Sequence, residues 1–188
     1  MEVKEIANGL RFPEGPIACL DGSVIVVEIE AGRLTRIGPS GEKNVIAETD
    51  GGPNGAAIGP DGRVYVCNNG GMRFIERDGM LLPVPAEDDD PQTGWIDAIN
   101  LENGKVETIY RECEGTPLKA PNDIVFDSHG GFWFTDHGKM RRNTHDRGAV
   151  FYASADGSSI NRVIVPLDSP NGIGLSPDET KLYVAETH

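Results

Sequence analysis

Four polar residues, each directly after a proline, are the side chains of this 188-residue sequence best placed to do chemistry together. They are Glu14, Asn54, Asn122 and Asn171. Each precedes a turn position by the same seven residues, and the four turn positions are Asp21, Asp61, His129 and Asp178. A single offset that recurs four times indicates an internal repeat.

Carboxylate and amide oxygens at equivalent repeat positions suit a hard divalent cation. One Glu with several Asn would form an oxygen cage of low charge, so the pattern predicts one divalent ion. Calcium is favoured, with magnesium, manganese and zinc as alternatives. The competing interpretation is that Asn and Asp are common at turn entries, where they bond their own backbone. The shared register and the acid among the four favour the metal site.

The elements around these residues are predicted to be β-hairpins. In each repeat a short apolar strand meets a turn and an apolar strand returns, as in the Val24–Val27 run after Asp21-Gly22. The repeat spacings are 54 − 14 = 40, 122 − 54 = 68 and 171 − 122 = 49 residues. Units of this length in an all-β chain predict a β-propeller, with about four blades in this chain.

The prediction for domain organisation is a single partial propeller over residues 1–188, with blade anchors near positions 13, 53, 121 and 170. The long second spacing predicts an insertion at about residues 80–117. That segment carries the acidic run Glu87 to Asp90, which is expected to be a solvated loop.

Composition excludes several functional classes. Seventeen Lys and Arg against 30 Asp and Glu give a net charge of −13, which disfavours nucleic acid and anionic membranes as partners. No apolar run reaches the roughly 20 residues of a membrane span, and the first residues do not resemble a secretory signal. Three widely spaced cysteines favour reduced thiols and a cytoplasmic location.

The motifs PEGP at 13–16, PND at 121–123 and PNG at 170–172 resemble, in that order, those of the gluconolactonase family, also called the regucalcin or senescence-marker-protein family. The resemblance implies a six-bladed propeller that binds one divalent metal and, in many members, hydrolyses sugar lactones. It implies that Glu14 and Asn171 are metal ligands and that Asn122 lies at the metal and helps to hold substrate. It also implies that Asn54 lines the channel.

Two departures from the family pattern affect the predicted site. The family's further ligand, an Asp that also serves as general base, comes from a later blade, so we expect a longer protein and assign no catalytic residue here. We expect residues 1–188 alone to bind metal weakly and to catalyse poorly or not at all. Ala120, beside Lys119, stands where regucalcin-like members have an arginine that contacts sugar. The sequence therefore does not identify the lactone.

Two further residues are candidates for substrate contacts. His137 follows Asp136 at a strand end, and a strand end lies at a face of a propeller. Asp123 either orients Asn122 or caps its own turn, and both interpretations stay open. The spacing of the four histidines matches no zinc finger or metalloprotease.

Three functions are consistent with this pattern. The first is a metal-dependent hydrolase that opens a small-molecule sugar lactone. The second is a phosphotriesterase-like hydrolase with the same ion cage, and the third is a metal-binding propeller without catalytic activity. Turnover of lactones against paraoxon-type esters separates the first two, and Glu14→Gln separates both from the third. The oligomeric state is left open.

Overall fold

A computed structural model describes residues 3–187, which form antiparallel β-strands and contain no helix. The first sheet has four strands in chain order: β1 (Pro13–Ala18), β2 (Val24–Glu28), β3 (Arg33–Ile37) and β4 (Lys43–Glu48). Each strand pairs with the next along the chain, so the sheet is a meander that begins at the strand carrying Glu14.

The second sheet repeats this meander but is interrupted by an additional hairpin. Its strands are β5 (Pro53–Ile58), β6 (Val64–Asn68), β9 (Trp95–Ile99) and β10 (Val106–Tyr110), and the hairpin between β6 and β9 is β7 (Arg73–Arg77) with β8 (Met80–Val84). The structure differs here from the predicted insertion at 80–117, because β9 pairs with β6, and β10 with β9. The additional residues of this repeat instead lie at 69–94.

The third repeat forms another four-stranded meander, and the fourth contributes two strands. After the short pair β11 (Glu112–Cys113) and β12 (Thr116–Pro117), the third sheet consists of β13 (Pro121–Phe126), β14 (Gly131–Asp136), β15 (Gly148–Ser154) and β16 (Ile160–Leu167). The last two strands are β17 (Pro170–Leu175) and β18 (Leu182–Glu186).

The constant offset of seven residues reflects hairpins of constant length. At three of the four turn positions, a carboxylate accepts the backbone N–H of the residue two positions later: Asp21 from Ser23, Asp61 from Arg63 and Asp178 from Thr180. Such local bonds specify the turn, since they satisfy backbone donors where the strands end. The length of each hairpin in turn fixes how far the polar residue after proline lies from its turn.

The sheets pack face to face through alternating side chains, as β6 illustrates. Val64 and Val66 belong to one buried cluster, together with residues of the first sheet such as Val27. Tyr65 and Cys67 point to the opposite face and join residues of the third sheet in another cluster, whose aromatic residues are Tyr65, Tyr110, Phe132, Phe134 and Phe151. Because strand side chains alternate between faces, the second sheet is buried on both sides, between the first and the third.

The first strand of each repeat packs beside the first strand of the next. β1 contacts β5, β5 contacts β13, and β13 contacts β17. This succession places the four residues after proline on consecutive, adjacent strands, as the radial arrangement predicted from the sequence requires. Within residues 3–187, no helix is long and apolar enough to cross a membrane.

Candidate functional site

A cavity of about 690 Å³ lies where these first strands begin. Its wall includes all four residues that follow the repeated prolines, Glu14, Asn54, Asn122 and Asn171, which we call the repeat wall. His137, the predicted substrate contact after β14, also lines the cavity. The structure thus brings together five of the six residues singled out from the sequence.

Glycines allow the strands of the repeat wall to approach closely. Gly15, next to Glu14, has a φ of 52°, and a Cβ built on it would lie 2.8 Å from both Asn54 O and Ala56 N on β5. A Cβ on Gly55 would collide with Asn122 O on β13. Backbone atoms cannot move aside as a flexible side chain can, so the glycine after the polar residue is required by the packing of β1 on β5 and of β5 on β13.

A polar residue at the end of the second strand of each repeat fixes the turn that leads into the first strand. Glu28 Oε2 accepts the Arg11 N–H at 2.7 Å, and Asn68 Oδ1 accepts the Gly52 N–H at 2.9 Å. Glu186 accepts the Asp168 N–H in the last repeat. The repeated acid or amide at the strand end is therefore a structural anchor that positions the residue after proline.

In the third repeat the anchor is Asp136, which accepts three backbone N–H groups. The donors are Lys119 at 2.7 Å, Ala120 at 2.8 Å and Gly138 at 3.1 Å. These bonds tie together the segment that enters β13 and the segment that leaves β14. Asp136 thereby positions both Asn122 and His137 from the side away from the cavity.

Glu28 and Asp136 occupy equivalent positions and are both buried, yet their pKa values shift in opposite directions. Burial raises the pKa of Asp136, and its backbone donors offset that effect only in part. Burial also acts to raise the pKa of Glu28, but hydrogen bonds from Arg33, Thr35 and the Arg11 N–H outweigh it and lower the pKa. The difference arises because Glu28 has a guanidinium partner at 2.7 Å, whereas the donors to Asp136 are uncharged.

The amides of the repeat wall present oxygen donors from separate strands. Asn122 is buried, with 9% of its surface exposed, at the cavity wall. Asn171 donates its Nδ2 to Thr187 Oγ1 at 3.3 Å, which directs its amide nitrogen to a neighbour and leaves Oδ1 to accept. Together with the Glu14 carboxylate, these are hard oxygen donors of the kind that calcium and magnesium prefer.

The donor chemistry does not fit a thiolate or imidazole site. No group of three or more His, Cys, Asp or Glu side chains suited to a metal is found among the residues that the structure describes. The predicted set contains one carboxylate and two neutral amides, which suits a hard cation. The assignment of Glu14, Asn122 and Asn171 as ligands stays a prediction.

Asp123 is not among the described residues that line the cavity. Its Oδ1 accepts the N–H of Ile124 at 2.9 Å, and its Oδ2 accepts the N–H of Ile173 at 3.0 Å. The second bond crosses from β13 to β17, so the carboxylate joins two repeats as well as capping its own strand. Its substrate role stays a prediction, and the described contacts are structural.

His137 lines the cavity with its ring orientation defined by the backbone. Its Nδ1 lies 3.1 Å from Gly138 O, and since a carbonyl can only accept, Nδ1 carries a proton. In the neutral ring Nε2 is then an acceptor. The backbone N–H of His137 also donates to Ala120 O at 2.9 Å.

Most of the remaining cavity wall comes from the additional residues of the second repeat and from the segment after β14. We call the cavity-lining residues within 69–92 and 138–140 the insertion wall. Its charged members are Arg73, Asp90 and Lys139. Sequence reasoning assigned none of them, because these segments fall outside the repeat and no offset relates them to it.

Two loops of the insertion wall are bonded to each other. Ala86 N–H donates to Met140 O at 3.0 Å, and Arg142 N–H donates to Ala86 O at 3.1 Å. Glu87 pairs with both Arg73 and Arg142. The acidic run at 87–90 is therefore not simply solvated, since Glu87 ties the loops together and Asp90 reaches the cavity.

The chain matches known proteins over nearly its whole length. A family model described as the SMP-30/gluconolactonase/LRE-like region matches residues 12–188, so this chain belongs to that family. A gluconolactonase of Zymomonas mobilis is 26% identical over 206 aligned residues, covering 98% of this chain and 51% of that protein. The chain spans about half the length of the curated relatives that it matches.

Solved structures of a gluconolactonase and a regucalcin have a fold similar to that of this chain. A gluconolactonase from Xanthomonas campestris superposes with a TM-score of 0.72 at 22% identity, over 95% of this chain and 55% of that one. A regucalcin from Agrobacterium tumefaciens, described as a calcium-binding protein, superposes with a TM-score of 0.64 at 20% identity. The alignment covers 95% of this chain and 51% of that one. The prediction of an all-β, propeller-type fold is confirmed, while the six-blade count stays a prediction.

Proposed function

We propose that the protein is a metal-dependent lactonase that opens a sugar lactone in the cavity bounded by the repeat wall. The observation that carries this proposal is the convergence of Glu14, Asn122 and Asn171 from three different strands on one cavity. Membership in a family with a curated gluconolactonase supports the reaction class. The cavity volume of about 690 Å³ lies in the range of small-molecule sites.

The residues present fit a hard divalent cation, and calcium is the ion we propose. Glu14 would supply the negative charge and the two asparagines neutral oxygens, so the set neutralises only part of a divalent charge. The chemistry gained is Lewis acidity toward a lactone carbonyl and toward water. A regucalcin among the structural neighbours is itself described as calcium-binding, which supports this choice.

The other residues of the site bind and orient the substrate. The buried Asn122 is placed by the backbone bonds of Asp136 and has little freedom to turn away. His137 lines the same cavity and is proposed to contact the substrate there. Asn54 lines the same wall as a further polar contact. The proposal assigns no general base to residues 3–187.

The test is calcium binding measured by calorimetry, combined with gluconolactone hydrolysis followed by base uptake, for the wild type and Glu14→Gln of the full-length protein. The substitution preserves shape but removes the charge, and we expect kcat/KM to fall by at least about 100-fold together with calcium affinity. Glu48→Gln is the matched control, because Glu48 is exposed on β4 and does not line the cavity. Unchanged affinity and rate in Glu14→Gln would refute the proposal.

Two results would redirect the assignment. Hydrolysis of paraoxon without hydrolysis of gluconolactone would indicate the phosphotriesterase-like alternative. Calcium binding that depends on Glu14 without turnover of either substrate would indicate a metal-binding scaffold. Both outcomes are separable from a folding defect by the thermal unfolding of the same samples.

A further inference from the structure

Lys139 is a buried cation on the cavity wall. Its side chain is 6% exposed, although the chain as a whole carries a net charge of −13. Lys and Arg side chains are almost never this buried unless they are paired, and Lys139 pairs with Asp90. Among the described residues, the other Lys or Arg that lines the cavity is Arg73, whose side chain is 49% exposed and pairs with Glu87.

The described partners of the Lys139 ammonium do not use all of its N–H donors. Its Nζ donates to Gln92 O at 3.0 Å and lies 3.5 Å from Asp90 Oδ2, an ion-pair distance longer than an ordinary hydrogen bond. An ammonium has three N–H donors. A ligand in the cavity can therefore receive a hydrogen bond from Lys139 while Gln92 and Asp90 keep their places.

The charge of Lys139 is also incompletely compensated. Burial lowers the pKa of Lys139, and the nearby Asp90 opposes this effect without cancelling it. The backbone of Lys139 is fixed by Asp146, whose N–H donates to Lys139 O at 3.1 Å. A dehydrated cation held in place at a cavity wall gains more from an anionic ligand than a solvated one would.

We propose that the substrate of this cavity carries an anionic substituent, a carboxylate or a phosphate, which Lys139 binds. The inference rests on the proposed lactonase function and adds the substrate class. It assigns the repeat wall to the reacting lactone ring and the insertion wall to the group that distinguishes one lactone from another. A purely structural role, in which the Lys139–Asp90 pair only fastens two loops, predicts equal effects on all lactones.

The experiment, on the full-length protein, compares kcat/KM for neutral gluconolactone with that for glucarolactone, which carries a carboxylate, and phosphogluconolactone, which carries a phosphate. We expect Lys139→Gln to lower kcat/KM for the anionic lactones roughly 10- to 100-fold more than for gluconolactone. Asp90→Asn keeps the ammonium and removes the competing carboxylate, so it should raise the preference for anionic lactones. Lys105→Gln, at an exposed lysine away from the cavity, is the matched control.

Calorimetry of glucuronate against glucose tests the same inference without turnover. The wild type should bind glucuronate at least about 10-fold more tightly than glucose, and Lys139→Gln should abolish that difference. The inference would be overturned if Lys139→Gln lowered kcat/KM equally for neutral and anionic lactones. It would also be overturned if the wild type bound glucuronate no more tightly than glucose. If no lactone is hydrolysed, the proposed function fails while the calorimetric comparison still decides the role of Lys139. Comparing the fall in kcat/KM of Lys139→Gln for glucarolactone with that for phosphogluconolactone distinguishes carboxylate from phosphate recognition.

Discussion

The repeat wall and the insertion wall face one cavity but are held in place in different ways. Asn122 in the repeat wall is positioned by Asp136, which is 3% exposed and accepts the backbone N–H groups of Lys119 and Ala120. In the insertion wall the side-chain link between the loops is the ion pair of Glu87 with Arg142, whose side chains are 43% and 60% exposed. At Asn122 the repeat wall is therefore fixed by buried bonds, whereas the insertion wall combines two backbone bonds at Ala86 with solvated ion pairs of Glu87.

The two kinds of support suit two different tasks, holding oxygen donors in place and selecting among substrates. Buried hydrogen bonds are costly to break, whereas exposed ion pairs contribute about 0–1 kcal/mol each. A wall that must hold oxygens at coordination distances needs the first kind of support. A wall that selects among substrates tolerates the second, and loops on a rigid scaffold are where binding residues commonly vary.

The largest expected effect comes from breaking the packing behind the repeat wall. Gly55→Ala places a Cβ against Asn122 O and the Asp123 Cα, which belong to the backbone of β13. We expect a loss of roughly 2–3 kcal/mol in the free energy of unfolding, measured by urea denaturation. Gly174→Ala is the control, because no atom lies within 4 Å of its Cβ position, and it should be near neutral. Equal effects in the two variants would contradict the close approach of β5 and β13.

Asp123 offers the next largest effect, and it distinguishes a structural role of that residue from a role at the site. Asp123→Ala leaves the N–H of Ile173 without its acceptor between β13 and β17, which should cost about 2 kcal/mol of unfolding free energy. Asp123→Asn keeps one carbonyl acceptor and should cost less. If Asp123→Ala instead retained full stability but lost activity, the residue would act at the site, either by orienting Asn122 or by contacting substrate.

A third prediction uses the opposite pKa shifts of Glu28 and Asp136. The pKa of Glu28 is lowered in the folded state, so its stabilisation is present above its unfolded value near 4.5 and is lost as pH falls. The pKa of Asp136 is raised, so its effect has the opposite sign: stability is lost as pH rises from the unfolded value near 3.8 through the folded one.

Urea denaturation between pH 7 and pH 3 measures both effects. Glu28→Gln should flatten the loss of stability on acidification, whereas Asp136→Asn should make that loss steeper, because it removes the opposing contribution. If the unfolding free energy changed with pH by the same slope in both variants, the guanidinium of Arg33 would not be the cause of opposite pKa shifts in Glu28 and Asp136.

The sequence predicted the repeat wall because its geometry follows from chain spacing. A constant hairpin length places Glu14, Asn54, Asn122 and Asn171 at the same point of successive sheets, and the offset to the turn is visible in the sequence. The strand-end residues Glu28 and Asp136 were also visible as part of the repeat. Their function as anchors of the entry turn was not, since it depends on bonds across 17 and 16 residues.

The insertion wall could not be predicted from the sequence, and the reason is physical. Lys139 and Asp90 lie 49 residues apart in the chain and meet because the loops after β8 and β14 are bonded to each other at the cavity wall. No periodicity relates such loops, and an acidic run such as 87–90 has the composition of a solvated segment. The boundary prediction of 80–117 failed to separate loop from sheet for the same reason, as β9 and β10 lie within it.

The smallest expected effect concerns the exposed link in the insertion wall. Glu87→Gln removes the charge that pairs with Arg73 and Arg142, and we expect the free energy of unfolding to change by no more than about 0.5 kcal/mol. Hydrogen exchange in residues 85–93 should nevertheless become faster, because the loop loses a tether that the sheets do not replace. Arg77→Gln, in a side chain 75% exposed on β7, is the control and should change neither quantity.

The outcome for Glu87 determines whether the two walls are independent. If loop exchange accelerates while amides of β13 and β14 keep their protection, the repeat wall stands without the insertion wall, and substrate selection can change without disturbing the oxygen donors. If protection in β13 falls as well, the loops stabilise the sheets, and the distinction between buried and solvated support is wrong. The backbone bonds of Asp136 favour the first result, since they hold Lys119 and Ala120 with no contribution from Glu87.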